Sequence, residues 1–393
     1  MPWEPLTDEQ IEIRDLVRTL ARDRIAPRAA EIDASHEFPW DVVELFREHE
    51  VFGLLYDEAH GGTGTGTLLA LAAIEEVSKV CATSGLILAV QELGSLGLKL
   101  AGTEEQTQRF LPRLASGEWL AAYALTEAGS GSDSAAMRTA ARRDGDEYVL
   151  DGSKRFITNA SVASVYTVFA KTDPTAGHAG ISAFVVEAGT PGFEVARLEP
   201  KMGIAGSTTG ELLFENARVP ADNLLGEEGE GFKIAMRILD RSRPGVAAQG
   251  LGIAQGATDY ALEYARTRET MGKPIVEHQL IAAKLADMET ACEAARGLLY
   301  RFGRMVDEGA PEAELTKASA MAKLHCTDTA MWVATEAVQI LGGYGYIKEY
   351  PVERMMRDAK ITQIYEGTNE IQRLVIAREM LKESRAFLLA GVA

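Results

Sequence analysis

The spacing of apolar residues changes twice along the chain. Over residues 1–120 it follows the period of helices, and over residues 121–228 it gives way to short apolar runs separated by turn residues. Over residues 229–393 the helical period returns. The pattern therefore predicts a mainly α protein of three parts, in which a small β domain stands between an N-terminal helical domain and a C-terminal helical bundle.

The first part contains a helix whose start can be read from the sequence. Thr7 or Asp8 can cap it, and Ile11, Leu16 and Leu20 supply its apolar positions. Further along, the very apolar run 86–100 predicts a buried helix.

The middle part is typical of antiparallel strands. β-branched and aromatic runs occur at 148–150, 165–169, 181–186 and 212–214. The dipeptides Asp144-Gly145 and Asp151-Gly152 are turn signals, so each predicts a hairpin.

The third part has a sustained apolar seam. Its steps alternate between four and three residues, through Ile281, Leu285, Met288, Cys292, Ala295, Leu299, Phe302 and Val306. This spacing indicates a long helix in a bundle core. Pro244 lies inside another helical stretch, and we expect it to kink or end that helix.

Charge and cysteine usage exclude several functions. The 393 residues carry 40 Lys plus Arg against 58 Asp plus Glu, a net charge of −18 that argues against nucleic acid or anionic membrane as partners. Cys81, Cys292 and Cys326 are far apart, so we expect buried, reduced thiols in a cytoplasmic protein without a metal site. The chain start predicts no signal peptide, and no apolar run is long enough to predict a membrane span.

The glycine-rich segment 61–66 invites a dinucleotide-binding interpretation that the sequence does not support. Leu69 stands where the last glycine of GxGxxG belongs, and no strand precedes the segment. We therefore predict a surface loop.

Four other segments carry candidate chemistry. Segment 123–133 combines hydroxyls with glycines that let a ligand approach the main chain, and segment 151–160 places an aromatic residue two positions before a threonine. Segment 266–279 places arginines near a helix end, where their guanidinium forks match phosphate oxygens, and segment 339–370 contains Glu366 between Tyr365 and Gly367. Taken alone, each is more typical of an ordinary loop, strand or solvated helix end.

Together, in this order and spacing, the four segments resemble the acyl-CoA dehydrogenase family over nearly the whole chain. The most specific parts are Ala124-Leu-Thr-Glu-Ala-Gly-Ser-Gly-Ser-Asp133 and Ile364-Tyr-Glu-Gly-Thr368. The resemblance implies an N-terminal helical domain (1–120), a middle β-barrel (121–228) and a C-terminal four-helix bundle (229–393), in a homotetramer.

The resemblance also implies a cofactor and a set of site residues. Within one subunit, FAD is expected to contact Tyr123, Leu125, Thr126, Gly131, Ser132, Phe156, Ile157, Thr158, Thr368 and Asn369. The FAD of a neighbouring subunit is expected to contact Arg268, Thr270, Gln279, Gln339, Gly342 and Gly343. The acyl-CoA substrate is expected to contact Ser132, Asp240, Arg243 and Gly367.

The implied reaction is α,β-dehydrogenation of an acyl-CoA to a trans-2-enoyl-CoA. Glu366 takes the α-proton, the β-hydride goes to flavin N5, and an electron-transferring flavoprotein receives the electrons. The thioester oxygen is expected to be bound by a flavin hydroxyl and by the N–H of Glu366. Burial beside substrate and flavin is expected to raise the pKa of the Glu366 carboxyl.

Three positions depart from the family pattern. Some relatives carry the base where this chain has Ser242, which cannot serve, so Glu366 is the expected base. Ala205 and Ala128 replace a frequent arginine and a frequent proline, which affects local contacts.

Two other functions remain open from the sequence. One is a relative that uses O₂ or a substrate without CoA, and the other is a helical assembly protein without catalysis. The pathway also remains open, and the segment 240–245 favours short- or medium-chain substrates, whose chain we expect against residues 86–93.

Overall fold

The three-part order predicted from the sequence is present in the computed structural model. It describes residues 6–390, with side chains over residues 6–384. Helices occupy the chain up to residue 115, strands lie between residues 121 and 225, and long helices follow from residue 231. The predicted fold class, helical domain, middle β domain and helical domain, is therefore confirmed. Residues 1–5, which bear on the expected absence of a signal peptide, lie outside the described part.

The N-terminal part consists of helices. They are α1 Asp8–Leu20, α2 Ala29–Ser35, α3 Trp40–Glu48, α4 Thr67–Ser78, α5 Ala82–Ala101 and α6 Glu104–Ala115. Thr7 caps α1 through a reciprocal pair of hydrogen bonds with Gln10, as its position predicts. Leu16, however, is 46% exposed, so it does not belong to the buried face of α1. Helix α5 is buried over most of its length, as its apolar composition predicts.

The middle part is one eight-stranded sheet. Its strands are β1 Ala121–Ala124, β2 Ala140–Asp144, β3 Glu147–Thr158, β4 Val165–Lys171, β5 Ile181–Glu187, β6 Phe193–Leu198, β7 Thr209–Pro220 and β8 Leu224–Leu225. The strand order is β6-β7-β3-β2-β4-β5-β8, with β1 pairing with β4. Pairing is antiparallel except where β1 and β2 each run parallel to β4.

The two predicted hairpins had different outcomes. Asp144-Gly145 does connect β2 to β3, with Asp144 paired to Glu147. Asp151-Gly152 lies within β3 instead, where the register against β7 shifts, so it forms a bulge. Gly152 has φ +147°, and a Cβ there would lie 2.7 Å from the Cα of Thr139. Close approach of Thr139, the residue just before β2, therefore explains this glycine, and the local sequence does not reveal it.

The C-terminal part contains the longest helices. They are α7 Gly231–Thr267, α8 Gln279–Asp307, α9 Glu312–Leu341, α10 Val352–Thr362 and α11 Asn369–Ala390, with a small hairpin of β9 Glu269–Thr270 and β10 Lys273–Pro274 before α8. The apolar seam of α8 lies in the core, where Met288, Cys292 and Leu299 are fully buried. Helix α7 does not end at Pro244, because α4, α5 and α9 pack against it and compensate for one lost hydrogen bond.

Glycines let α7 approach α4 closely. A Cβ on Gly252 would lie 2.5 Å from the carbonyl oxygen of Glu75, and a Cβ on Gly256 would lie 1.9 Å from the carbonyl oxygen of Lys79. This close packing fixes the position of α7, the helix that carries Ser242 and Arg243. The three cysteines are free and buried, as expected.

We predict that Gly256→Ala lowers the thermal unfolding midpoint, because the added methyl group has no space beside Lys79. Overpacking of this kind costs about 1–3 kcal/mol. Gly297→Ala in α8 is the control, since no atom lies within 4 Å of its Cβ position and alanine favours helix. Equal midpoints for wild type and Gly256→Ala, measured by calorimetry, would contradict the packing described here.

Candidate active site

Glu366 lies in the short turn between α10 and α11, in a backbone conformation that is unfavourable for its residue type. Its φ is +54°, and that of the following Gly367 is +95°. A glutamate pays a steric penalty in the left-handed region, so the surrounding structure has to hold it there. Such positions are concentrated at functional sites, so this turn is a candidate functional site.

Donors from three helices hold the turn. Arg243 of α7 donates its Nε–H to the carbonyl oxygen of Glu366 at 3.1 Å. Lys323 of α9 and Gln372 of α11 both donate to the carbonyl oxygen of Gly367, at 2.9 and 2.8 Å. All three side chains are at least nine-tenths buried, so the turn is fixed from inside the protein.

The carboxylate of Glu366 has one hydrogen-bond partner among the described residues, Ser242. The Oγ of Ser242 donates to Oε2 at 2.6 Å. Withdrawal from water raises the pKa of Glu366 to about 7, against the opposing influence of Ser242, Lys323 and Arg243. The backbone N–H of Glu366 makes no hydrogen bond to any described residue, so it is free to donate to a ligand.

Tyr123 of β1 stands near this carboxylate with an unsatisfied hydroxyl. Its Oη is buried and has no hydrogen-bond partner within the described chain. Burial raises the pKa of Tyr123 well above its ordinary value, and the charge of Glu366 raises it further. A buried donor without a partner is costly, which indicates that a ligand completes it.

The predicted segments 123–133 and 151–160 are neighbours in the structure. The N–H of Arg155 donates to the carbonyl oxygen of Thr126 at 2.8 Å. Phe156 follows at a register shift of β3 with φ +59°, and its ring is 58% exposed. An aromatic ring held outward by a strained backbone offers a flat surface for a planar ligand.

The other predicted residues of these two segments differ in exposure. Leu125 and Ile157 are 7% and 2% exposed, so their side chains belong to the core and leave only main chain for a ligand. Gly131 and Ser132 are exposed, and a Cβ on Gly131 would meet no atom within 4 Å. Thr158 is half-buried and pairs with β7.

A buried ion pair supports this surface from the protein interior. Its members are Glu127 and Lys154, which the sequence did not single out. The Glu127 carboxylate accepts the Nζ–H of Lys154 at 2.8 Å and the backbone N–H groups of Arg138 and Thr139 at 2.6 and 3.0 Å. Lys154 is fully buried, which lowers its pKa to about 8. A lysine in a strand and a glutamate in a loop give no signal of this pairing before the fold is known.

Asp240 and Arg243 are in direct contact. Arg243 Nη1 donates to Asp240 Oδ1 at 2.9 Å, and Thr316 Oγ1 donates to Oδ2 at 2.7 Å. The Arg243 guanidinium is thus shared between Asp240 and the Glu366 turn. The predicted contact of this pair with substrate stays a prediction.

Thr368 and Asn369 follow the turn directly. The side chain of Asn369 is buried and bonds to Lys323, Thr327 and Asp328, so its polar atoms already have protein partners. Thr368 is half-buried and lines an open recess on the outer side of the turn. Their predicted contacts with FAD stay predictions.

A second cleft, of about 580 Å³, brings together predicted residues from two distant segments. Arg268, Thr270 and Gly343 line it, and the Arg268 guanidinium lies 5.5 Å from the centre of the Tyr344 ring. Three further predicted residues, Gln279, Gln339 and Gly342, are exposed and adjacent in sequence to lining residues. This cleft has a different lining from the surroundings of Glu366.

Within the part of the chain that the structure describes, no group of His, Cys, Asp and Glu residues is arranged to hold a metal ion. No described helix has the length and apolar character needed to cross a membrane.

Three family models match the chain in sequence. They are the acyl-CoA dehydrogenase N-terminal domain over residues 7–118, the middle domain over residues 122–217 and the C-terminal domain over residues 229–381. The chain belongs to the acyl-CoA dehydrogenase family. The family resemblance in the sequence is therefore confirmed.

Two proteins are similar to this chain over nearly their whole length. Cyclohexane-1-carbonyl-CoA dehydrogenase of Geobacter metallireducens is 48% identical over 381 residues, which cover 96% of this chain and 99% of that protein. The short-chain specific acyl-CoA dehydrogenase of Clostridium acetobutylicum is 47% identical over 378 residues, with the same two coverages.

Solved structures agree with this relationship. Butyryl-CoA dehydrogenase from Megasphaera elsdenii has a TM-score of 0.94 at 44% identity, covering 97% of this chain and 100% of that chain. A chain solved in a study of the electron transferring flavoprotein of Acidaminococcus fermentans has a TM-score of 0.94 at 45% identity, with the same two coverages. An acyl-CoA dehydrogenase from Bacillus anthracis, complexed with FAD, has a TM-score of 0.90 at 35% identity, and the match covers 97% of this chain and 68% of that chain.

We predict that Glu366 titrates near pH 7 in the ligand-free protein, because its cleft disfavours the charged form. The protonated form is present below that pH and is lost as pH rises through it. The measurement is the infrared C=O band of a protonated carboxyl, assigned as the band missing in Glu366→Gln. Glu370→Gln, which removes an exposed carboxylate close by, should leave the band in place. Loss of the band near the ordinary pH of 4.5 would contradict this environment.

Proposed function

We propose that this protein uses FAD to convert an acyl-CoA thioester to its trans-2-enoyl-CoA, with Glu366 as the base. The observation that carries the proposal is a single residue with two capacities. Its carboxylate has a pKa of about 7, and its backbone N–H is free. A base that removes a proton from carbon needs the raised pKa. The thioester oxygen becomes negative as that proton leaves, and it needs the N–H as a hydrogen-bond donor.

The raised pKa suits Glu366 to this task. A carboxylate with an ordinary pKa is a weak base, whereas a pKa near the working pH combines a useful ionised fraction with a stronger affinity for the proton. The left-handed turn lets one residue present both its carboxylate and its N–H, and Arg243 and Lys323 prevent the turn from relaxing. We infer that the thioester lies against this turn, beside Gly367.

The residues around Glu366 fit a flavin. The orphaned Tyr123 hydroxyl, the outward ring of Phe156 and the open main chain at Gly131 can receive a polar, planar ligand. Thr126, Ser132 and the other predicted residues of these segments would line the same surface. When bound, FAD supplies the acceptor for the β-hydride. A relative in this family has been solved with FAD.

We propose that the CoA thioester is bound by Ser132, Asp240, Arg243 and Gly367. The acyl chain would lie along α5 near residues 86–93, because α5 packs on the part of α7 that carries Ser242. Glu92 of this helix is near enough to raise the pKa of Glu366, so the end of the pocket is not wholly apolar. A pocket whose end is not wholly apolar suits short- to medium-length acyl chains. The relatives include a short-chain enzyme and a butyryl-CoA dehydrogenase. Anaerobic bleaching of the flavin by acyl-CoAs of increasing length would test the length.

The second cleft supports a homotetramer in which each subunit completes its neighbour's FAD site. Cationic Arg268 suits a pyrophosphate, and the apolar residues Met271 and Leu280 beside it are 94% and 81% exposed.

We propose an electron-transferring flavoprotein as the electron acceptor, on the resemblance and on the Acidaminococcus structure. The three domains would be residues 1–120, 121–228 and 229–393. Peroxide formed rapidly from acyl-CoA in air would favour the oxidase alternative.

Glu366→Gln is expected to keep FAD bound and to lose most anaerobic bleaching by acyl-CoA, because glutamine keeps the shape of the side chain and removes the base. General bases contribute about 10²–10⁴-fold in rate. Glu370→Gln serves as the matched control and should bleach at the wild-type rate. Wild-type bleaching in Glu366→Gln, followed by stopped-flow absorbance, would reject the assignment.

Arg268→Ala is expected to weaken FAD retention and the tetramer together, since this arginine would join two subunits through one cofactor. Gel filtration with absorbance at the flavin wavelength measures both properties in one experiment. Arg266→Ala, which removes an exposed arginine paired with Glu263, is the control. A fully flavinylated tetramer from Arg268→Ala would count against the role of the second cleft.

A further inference from the structure

Ser242 occupies a buried position in α7 from which its side chain reaches the predicted base. It is 4% exposed, and its Oγ donates to Glu366 Oε2 across 124 positions of sequence. The next residue, Arg243, donates to the carbonyl oxygen of the same glutamate. Two consecutive residues of one rigid helix therefore hold both the main chain and the carboxylate of Glu366.

This contact differs from what helical hydroxyls usually do. In a helix interior, serine and threonine tend to bond back to the carbonyl oxygen four residues earlier. Thr258 of the same helix does so with Ala254 at 2.9 Å, and Thr327 of α9 does so with Lys323. Ser242 instead donates to a carboxylate on another element, where a hydrogen bond to a charged acceptor is stronger.

The other charged or titratable groups near Glu366 act on it without a hydrogen bond to its carboxylate in the described structure. They are Arg243 on α7, Lys323 on α9, Glu92 on α5, Tyr123 on β1 and Tyr365 beside it in the turn. Lys323 donates to Gly367 and Asn369, and Tyr365 bonds to Gln249. Orientation of the carboxylate therefore depends on Ser242.

We propose that Ser242 is a positioning residue for the base: its hydroxyl orients the Glu366 carboxylate and stabilises the charged form. This inference rests on the proposed role of Glu366. Because Oε2 already accepts from Ser242, Oε1 is the oxygen left to receive the substrate proton. The position that carries the base itself in some relatives would here tune a base supplied from the turn.

The test compares three variants of the FAD-loaded protein by the pH dependence of anaerobic bleaching. Ser242→Ala removes the hydroxyl with little change in volume, and Ser242→Thr keeps it. Ser319→Ala is the control, because Ser319 is equally buried, in α9, and its Oγ has no hydrogen-bond partner in the described structure. Flavin absorbance reports whether each variant is folded and loaded.

Ser242→Ala is expected to move the rising limb of the pH profile upward by about one unit, because a hydrogen bond to a charged group is worth about that much. At pH 7 the bleaching rate would then fall about fivefold. Ser242→Thr should restore the wild-type profile, and Ser319→Ala should leave it unchanged. Superimposable profiles for wild type and Ser242→Ala, or equal shifts in Ser242→Ala and Ser242→Thr, would overturn the proposal.

A readout without substrate separates this inference from the proposed function. The infrared band of protonated Glu366 is titrated in wild type and Ser242→Ala, and its midpoint should rise by about one unit in the variant. If acyl-CoA bleaches neither protein and the midpoint still shifts, the proposed reaction fails while the contact from Ser242 stands. An unshifted midpoint overturns the role of Ser242 whatever the reaction.

Discussion

A carboxyl group that accepts a proton from carbon needs a raised pKa and yet has to lose its own proton near neutral pH. In this protein that conflict falls on Glu366, the proposed base, whose pKa is raised to about 7 by withdrawal from water and limited by Ser242, Lys323 and Arg243. The rest of the site depends on this balance. A fully solvated glutamate would be too weak a base, and one buried without these partners would stay protonated.

The fold supplies the balance by bringing three helices to one turn. Arg243 of α7, Lys323 of α9 and Gln372 of α11 bond to the two carbonyl oxygens of the Glu366–Gly367 turn, which keeps a strained backbone in place. Helix α7 can do this because glycines let it pack tightly on α4. Packing far from the turn therefore contributes to the geometry of the proposed base.

The sequence predicted the order of domains, the seam of α8 and the turn that contains Glu366, since each leaves a local pattern or a specific motif. It failed where the cause is tertiary. Asp151-Gly152 has the composition of a hairpin turn but is a bulge beside Thr139. Of the two effects predicted for Pro244, a kink or an end of the helix, the end does not occur, because neighbouring helices support α7 past it. The sequence shows that Ser242 cannot be a base, whereas its contact with Glu366 joins residues 124 positions apart, a distance that no local pattern spans.

In the proposed reaction, Glu366 presents its carboxylate and its N–H to one thioester. The most direct test is a structure of the FAD-loaded protein with an acyl-CoA analogue that cannot be dehydrogenated. The expected arrangement places Glu366 Oε1 about 3–3.5 Å from the α-carbon and the thioester oxygen about 3 Å from the Glu366 nitrogen. A thioester bound away from the turn, with the N–H of Glu366 facing water, would contradict it.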